Sequence, residues 1–368
     1  MDLYDINSQQ ELMLRIRANE MHIPLGGSME LTPLCNMDCR MCYVRLSKNE
    51  MMERGELLTK KEWLRIAKEG FSEGLLFLLL TGGEPLLYPD FDELFTQLSK
   101  MGFVISVNTN GTLIDRGRAK LFAEHGVRRL NITLYGPDNE TYSNLCKNPD
   151  GFTQVIHAAE LLKKYNVPFR FTTSLTPQNI DTLPELFRVS KEMDVHLEPC
   201  SYMFPAIRRG GSPGVQDRLS PEMAAESVMQ KYLLEHPGVP LSLACKQTIE
   251  SSKNRPRKIS EKNGFSCQAG RSGFWINWRG EMSACGIFHE AFISLTDHSF
   301  KECWSYIVSE SGKMDNCSDC MDCEWQNLCM TCPAACYSET GSTSGKPEYL
   351  CHMTKEWVRL MEENIQGA

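Results

Sequence analysis

This 368-residue chain has no apolar stretch long enough to cross a bilayer. Its longest unbroken apolar run, Leu75 to Leu80, falls far short of the roughly 20 residues that a spanning helix needs. It also lacks an export signal. Met1-Asp2-Leu3-Tyr4-Asp5 is acidic and polar, where a signal peptide has a basic start followed by an apolar core. Positive charge is scarce as well: 39 Lys and Arg against 47 Asp and Glu leave a net charge of −8, which argues against a nucleic-acid or anionic-membrane partner. Cysteine is the opposite case. Sixteen cysteines in a chain with no export signal point to reduced thiols in a cytoplasmic protein, kept for metal rather than for disulfides. The remaining composition, 42% apolar and 23% charged, is that of a globular protein with a substantial core and about two domains.

The densest chemistry is Cys35-Asn36-Met37-Asp38-Cys39-Arg40-Met41-Cys42-Tyr43. Three thiolates spaced C-x-x-x-C-x-x-C can hold three irons of a [4Fe–4S] cluster and leave the fourth iron open, as catalytic metal sites do. A zinc knuckle would need a fourth Cys or His, and the nearest histidine is His22, on the N-terminal side. The short extended run Met29 to Leu34 precedes the cysteines, so they fall on the loop that leaves a first strand. The spacing, Asn36 and the trailing Tyr43 resemble those of radical S-adenosylmethionine (SAM) enzymes. In that family the open iron chelates SAM, and electron transfer cleaves it to a 5′-deoxyadenosyl radical.

Downstream, Thr59 can cap a helix running to Gly74. Leu75 to Leu80 then reads as a strand buried on both faces, and it ends in Thr81-Gly82-Gly83-Glu84-Pro85. Two glycines allow the backbone to approach a ligand closely, and the carboxylate can accept from an ammonium group. Taken alone this is an ordinary turn. One strand–helix unit beyond the cysteines, it is similar to the segment with which radical SAM enzymes bind the amino group of SAM. By that resemblance Gly82, Gly83 and Glu84 contact the methionine end.

The alternation continues with strands at 103–107, 130–136, 169–173 and 195–199 and helices between them. Six strand–helix repeats imply a parallel sheet curling into a partial (β/α)6 barrel, with its site at the strand C-termini. A doubly wound sheet shows the same alternation, and only the family resemblance favours the barrel. On the fourth strand Thr133 stands where relatives carry a serine that contacts SAM, while Tyr135 replaces their usual Asp; a packed strand threonine is the plain alternative. Residues 9–19 read as a short helix packing Leu12, Leu14 and Ile16 on the barrel exterior. Arg208 to Pro213 is a turn-rich break, a helix follows from Pro221 to His236, and the rhythm then stops. The expected division is a segment 1–24, a barrel 25–237 and a cysteine-rich unit 238–368.

That last unit pairs Cys267 and Cys285 across a hairpin at Arg279-Gly280, then runs Cys317, Cys320, Cys323, Cys329, Cys332, Cys336 and Cys351. C-x-x-C spacing serves zinc and iron–sulfur sites alike. The order resembles the SPASM extension of radical SAM peptide maturases, a hairpin with helices that holds two auxiliary [4Fe–4S] clusters. The resemblance assigns Cys267, Cys285 and Cys332 to one cluster and Cys320, Cys323, Cys329 and Cys351 to the other. The fourth ligand of the first is then Cys336, Cys245 or Cys317, or is missing. Cys146, Cys200 and Cys303 read as small buried residues.

The expected activity is oxidative modification of a peptide or protein side chain, giving a thioether, a carbon–carbon crosslink or an oxidised residue in a ribosomally made peptide. An external donor such as flavodoxin or ferredoxin would supply the electron. Only 34 residues precede Cys35, so a separate peptide-recognition protein, or the barrel mouth itself, would read the substrate. Anaerobic sulfatase maturases share the architecture but place an Asp base after the second cysteine of the extension, where this chain has Gly286. A small-molecule dehydrogenase of the same superfamily and a zinc scaffold without catalysis are the other readings.

Overall fold

A computed structural model describes residues 9–205, 217–256 and 264–367. Six strands alternate with helices: β1 (Gly26–Glu30), β2 (Phe77–Thr81), β3 (Val104–Thr109), β4 (Arg129–Thr133), β5 (Phe169–Ser174) and β6 (Leu197–Cys200). Each pairs in parallel with the next, so the connecting helices cover one face of the sheet. This is the partial barrel expected from the sequence. The helix after the cysteine loop begins where Thr59 caps it, reciprocally with Glu62.

The two faces of the sheet differ. Leu78, Leu80, Ile105, Val107, Leu130, Ile132 and Phe171 are buried against the helices. Their neighbours of opposite parity, among them Ser28, Ser106, Asn108, Asn131, Thr133 and Arg170, are only half-buried on the inner face. The apolar run of β2 is therefore not buried on both sides as expected. Phe77 and Leu79 face the interior of an incomplete barrel, and the guanidiniums of Arg15 and Arg128 lie 4.4 and 5.2 Å from the Phe77 ring centroid.

The hairpin, β7 (Gly273–Ile276) and β8 (Glu281–Cys285), turns at Arg279-Gly280 as expected. It is not detached: β7 pairs in parallel with the free edge of β1, Gly26 opposite Gly273. A further strand that the sequence did not suggest, β9 (Phe288–Ser294), completes one nine-stranded sheet in the order β6-β5-β4-β3-β2-β1-β7-β8-β9. The helix Glu348–Gln366 packs its buried Val358 and Met361 with Cys245 of the helix Leu241–Asn254.

The first helix, Gln9–Met21, sits differently from the expectation. Leu12, Leu14 and Ile16 are exposed, and Ala18 is its buried residue. Polar contacts hold it instead: Glu11 pairs with Arg128, and Ser272 bonds to Asn19. Residues 208–213, read as a break, lie outside the described residues. Among the described residues no helix is long and apolar enough to cross a membrane.

Candidate cofactor and metal sites

Beyond β1 the backbone runs without regular structure through residues 31–47, and this loop carries Cys35, Cys39 and Cys42. The Gly82-Gly83 turn holds its first part. Gly83 N donates to Thr32 O at 2.7 Å, and Glu84 N donates to Leu34 O at 2.8 Å. A Cβ on Gly82 would lie 2.4 Å from Thr32 O, and one on Gly83 2.4 Å from Leu34 O. The close approach that demands glycine here is thus to the cysteine loop of the chain itself.

Glu84 is completely buried. Its Oε1 accepts from Leu86 N at 3.0 Å and Thr109 Oγ1 at 2.8 Å, and its Oε2 from Asn110 N at 2.7 Å, so one carboxyl joins the ends of β2 and β3. Burial raises it to about pH 7 even though these three bonds pull the other way. Asn110 continues the chain of contacts. Its Nδ2 donates to Asn36 Oδ1 at 2.8 Å and reaches the Cys35 sulfur at 3.7 Å.

Cys35 lies within reach of the charges of Cys39 and Cys42. Burial pushes Cys35 up to about 12, and the charges of Glu84, Cys39 and Cys42 add to that, while the Met37 N–H at 3.4 Å opposes it. Cys39 is raised further by a hydrogen bond to Cys146 and by burial, against a hydrogen bond from the Tyr135 hydroxyl. The helix Asn139–Cys146 ends against the loop: Cys146 O accepts from Asp38 N at 3.0 Å and Leu145 O from Arg40 N at 3.1 Å, on either side of Cys39. Buried thiolates are costly until a cation joins them, and a coordinated thiol is deprotonated outright. Three cysteine thiols on one loop have the donor chemistry of an iron–sulfur cluster, although among the described residues no three Cys, His, Asp or Glu side chains are gathered closely enough to hold a metal ion. Tyr43 is half-buried beside them, and Thr133 ends β4 on the inner face, opposite Thr172.

In the second cysteine field, a cavity of about 570 Å³ is walled by Cys320, Cys323, Cys329 and Cys351, the four that the resemblance groups together. Cys267 lies close enough to Cys285 for its charge to add to the burial that raises that thiol. Cys332 caps the helix Pro333–Thr340, its sulfur accepting from Ala335 N at 3.4 Å. Cys336, one of the open choices for the fourth ligand of the first group, sits beside both groups, since the charge of Cys332 reaches it. It is buried with Cys317 and Cys320, its sulfur 3.5 Å from Thr331 Oγ1. Cys245 lies among the C-terminal helices, in a separate cluster with Val358. Cys200, expected to be buried, is exposed at the end of β6, whereas Cys146 and Cys303 are buried as expected.

Sequence reasoning assigned no site role to Asn110 or Cys146, and none to Tyr135 beyond noting the Asp it replaces. The polar Asn108-Thr109-Asn110-Gly111 turn at a strand C-terminus was the available signal for the first. Nothing local marks the other two, which reach the cysteine loop from about a hundred residues away.

Residues 29–189 match the model described as the Radical SAM superfamily. An AdoMet-dependent heme synthase from Methanosarcina barkeri is 27% identical over 330 residues, covering 85% of this chain and 92% of that protein. A PqqA peptide cyclase from Granulibacter bethesdensis is 26% identical over 170 residues, 46% of this chain and 45% of that one. Among solved structures, anSMEcpe with bound AdoMet superposes with a TM-score of 0.68 at 21% identity, over 94% of this chain and 99% of that chain. The same protein is also solved with AdoMet and a Cp18Cys peptide. With the cysteine loop, the glycine turn and the parallel half-barrel in place, the chain carries a radical SAM domain over residues 29–189.

Proposed function

We propose that this chain cleaves SAM and oxidatively modifies a peptide or protein side chain held inside the half-barrel. One observation carries the reading: Glu84, Asn110 and Cys35 are linked by consecutive contacts of 2.7 and 3.7 Å at the C-terminal edge of the sheet. That these contacts join the turn, the polar strand end and the first of the thiols supports a SAM site along this edge. Bound there, a [4Fe–4S] cluster and SAM would supply one electron and a 5′-deoxyadenosyl radical. The chain's own residues do the rest. Cys35, Cys39 and Cys42 hold the irons, Gly82 and Gly83 front the methionine end, and Glu84 accepts from its ammonium with the lone-pair position left after three hydrogen bonds. Thr133 meets the ribose or carboxylate, and Tyr43 flanks the loop. The half-barrel positions the substrate C–H and excludes water.

In this reading residues 25–237 form the SAM unit and 238–368 the auxiliary unit, whose cysteines would hold two further clusters able to bind substrate or accept the surplus electron, while a flavodoxin- or ferredoxin-like donor supplies the first. The cavity walled by Cys320, Cys323, Cys329 and Cys351 supports one of them. A peptide substrate is supported by the PqqA peptide cyclase relative, and recognition falls to the barrel mouth or to a separate protein. A sulfatase-maturase base at 286 has no room, because a Cβ there would lie 2.6 Å from the Trp275 ring.

The second reading is a heme-forming reaction on a small molecule. It is favoured by relatives named AdoMet-dependent heme synthase that align along most of the chain. The test of the common core is a triple Cys35→Ala, Cys39→Ala, Cys42→Ala variant assayed anaerobically with dithionite. Formation of 5′-deoxyadenosine should vanish while iron remains in the C-terminal field, and undiminished formation would sink the assignment. Incubation with a peptide or with a porphyrin then separates the two readings.

A further inference from the structure

We infer that Asp217 and Arg218 are positioning residues, two neighbours through which the auxiliary unit holds the Cys35–Cys42 loop in place. This rests on the preceding reading that the loop and the auxiliary unit each hold a cofactor, and it names what fixes one against the other.

Arg218 faces the auxiliary unit. Its Nη1 donates to Glu339 Oε1 at 2.7 Å and its Nη2 to Oε2 at 3.0 Å, a two-pronged pair whose side chains are 10% and 8% exposed. The guanidinium also covers the Tyr349 ring, 3.7 Å from its centroid. Tyr202, just beyond β6, donates from its hydroxyl to the same Glu339 Oε1 at 2.8 Å, and the Tyr349 hydroxyl donates to Leu219 O at 2.7 Å. Glu339 lies on the helix Pro333–Thr340, which Cys332 caps and which contains Cys336. Tyr349 lies in the first turn of the helix Glu348–Gln366, which also carries Cys351. Asp217 faces the other way. Its Oδ1 accepts from Arg40 Nε at 3.1 Å and from Gln178 Nε2 at 3.3 Å, and its side chain is 4% exposed. Arg40 stands between Cys39 and Cys42, and its backbone N–H donates to Leu145 O at 3.1 Å.

A buried ion pair is a poor source of stability, because desolvating both charges can cost more than their attraction gains, and an apolar pair would fill the same space. What the pair of Arg218 and Glu339 supplies is direction. A bidentate guanidinium–carboxylate contact has one geometry, whereas apolar side chains accept several. Adjacent residues share a peptide link that holds their Cα atoms ~3.8 Å apart. Fixing Arg218 on the helices of the auxiliary unit therefore fixes Asp217 as well. The buried Asp217 carboxylate then presents one stationary acceptor to Arg40, and that contact restrains the segment between Cys39 and Cys42. Arg40 is half-exposed, so the restraint is modest, and its size sets the scale of the test. Removing Arg218 or Glu339 breaks the tie on the side far from the cysteine loop, without touching the loop itself.

The test is amide hydrogen exchange on the full chain, purified anaerobically and read by mass spectrometry over residues 36–44. In Arg218→Gln and in Glu339→Gln this segment should exchange about two- to fivefold faster, the effect of one half-exposed ion pair. Over the same period β3 should stay as protected as in the parent. Arg359→Gln, which breaks an exposed pair with Glu356 on the last helix, should leave residues 36–44 unchanged. In an Arg40→Gln background, Arg218→Gln should add nothing at this segment, because the route through Asp217 is already cut. A purely local role for Arg218 would loosen residues 333–351 and leave 36–44 unmoved, and that result overturns the inference. So does a further effect of Arg218→Gln in the Arg40→Gln protein, or an equal effect of Arg359→Gln. Should β3 loosen too, Arg218→Lys, which keeps the charge and loses the two-pronged geometry, is read in its place. SAM titration of the reconstituted parent tests the cofactor site separately, so the two readings fail by different measurements.

Discussion

Raising the pH from 5 to 8 should cost the cluster-free protein about 2.5 kcal/mol through Glu84 alone. The carboxyl ionises at its ordinary value of 4.5 in the unfolded chain, but burial holds it to about 7 in the folded one. A group raised on folding stabilises the native state below its unfolded value, and that contribution is lost as pH rises through the folded value. Each unit of difference corresponds to about 1.36 kcal/mol. Part of the loss already lies below pH 5, which leaves about 2.5 kcal/mol between pH 5 and 8. Glu84→Gln isolates this effect because it cannot ionise. The amide sets a donor against the Asn110 N–H, an offset of about 1–3 kcal/mol that is the same at every pH. The quantity to read is therefore the slope. Urea unfolding followed by tryptophan fluorescence at pH 5, 6, 7 and 8 should give a stability difference between parent and variant that shifts towards the variant as pH rises. Parallel curves would refute the argument that Glu84 is buried and resists ionisation.

Three other outcomes are expected. Glu84→Gln should weaken SAM binding about ten- to a hundredfold in a titration of the reconstituted protein, since the charge-assisted bond to the ammonium is lost. Gly83→Ala should destabilise the chain by about 1–3 kcal/mol, because its Cβ meets the Leu34 carbonyl at 2.4 Å and backbone cannot yield as a side-chain tip can; thermal melting reads this. Tyr135→Phe removes a hydroxyl that hydrogen-bonds the Cys39 sulfur, and should lower the midpoint potential of a cluster held there in a redox titration followed by electron paramagnetic resonance.

What the sequence determined by itself was short-range. The spacing of Cys35, Cys39 and Cys42 and the glycine turn one strand–helix unit later are local patterns, and local patterns are legible without a structure. So is the six-fold alternation, because each strand and helix declares its own period. The hairpin at Arg279-Gly280 belongs to the same class. The tertiary structure decided whatever depends on which distant segments meet. Nothing in the run Leu75 to Leu80 says which parity faces the helices; pairing of β2 between β1 and β3 in an unclosed barrel does. The glycines at 82 and 83 do not reveal in sequence that a peptide packs against them, and only the position of Thr32 and Leu34 shows it. Asn110, Tyr135 and Cys146 join the site from other strands and helices, and the burial of Cys336 with Cys317 and Cys320 likewise appears only in the folded chain. The exposed Leu12 and Ile16 of the first helix make the same point: a weak amphipathic pattern gave way to the pairing of Glu11 with Arg128, which exists only once the fold has brought the two together.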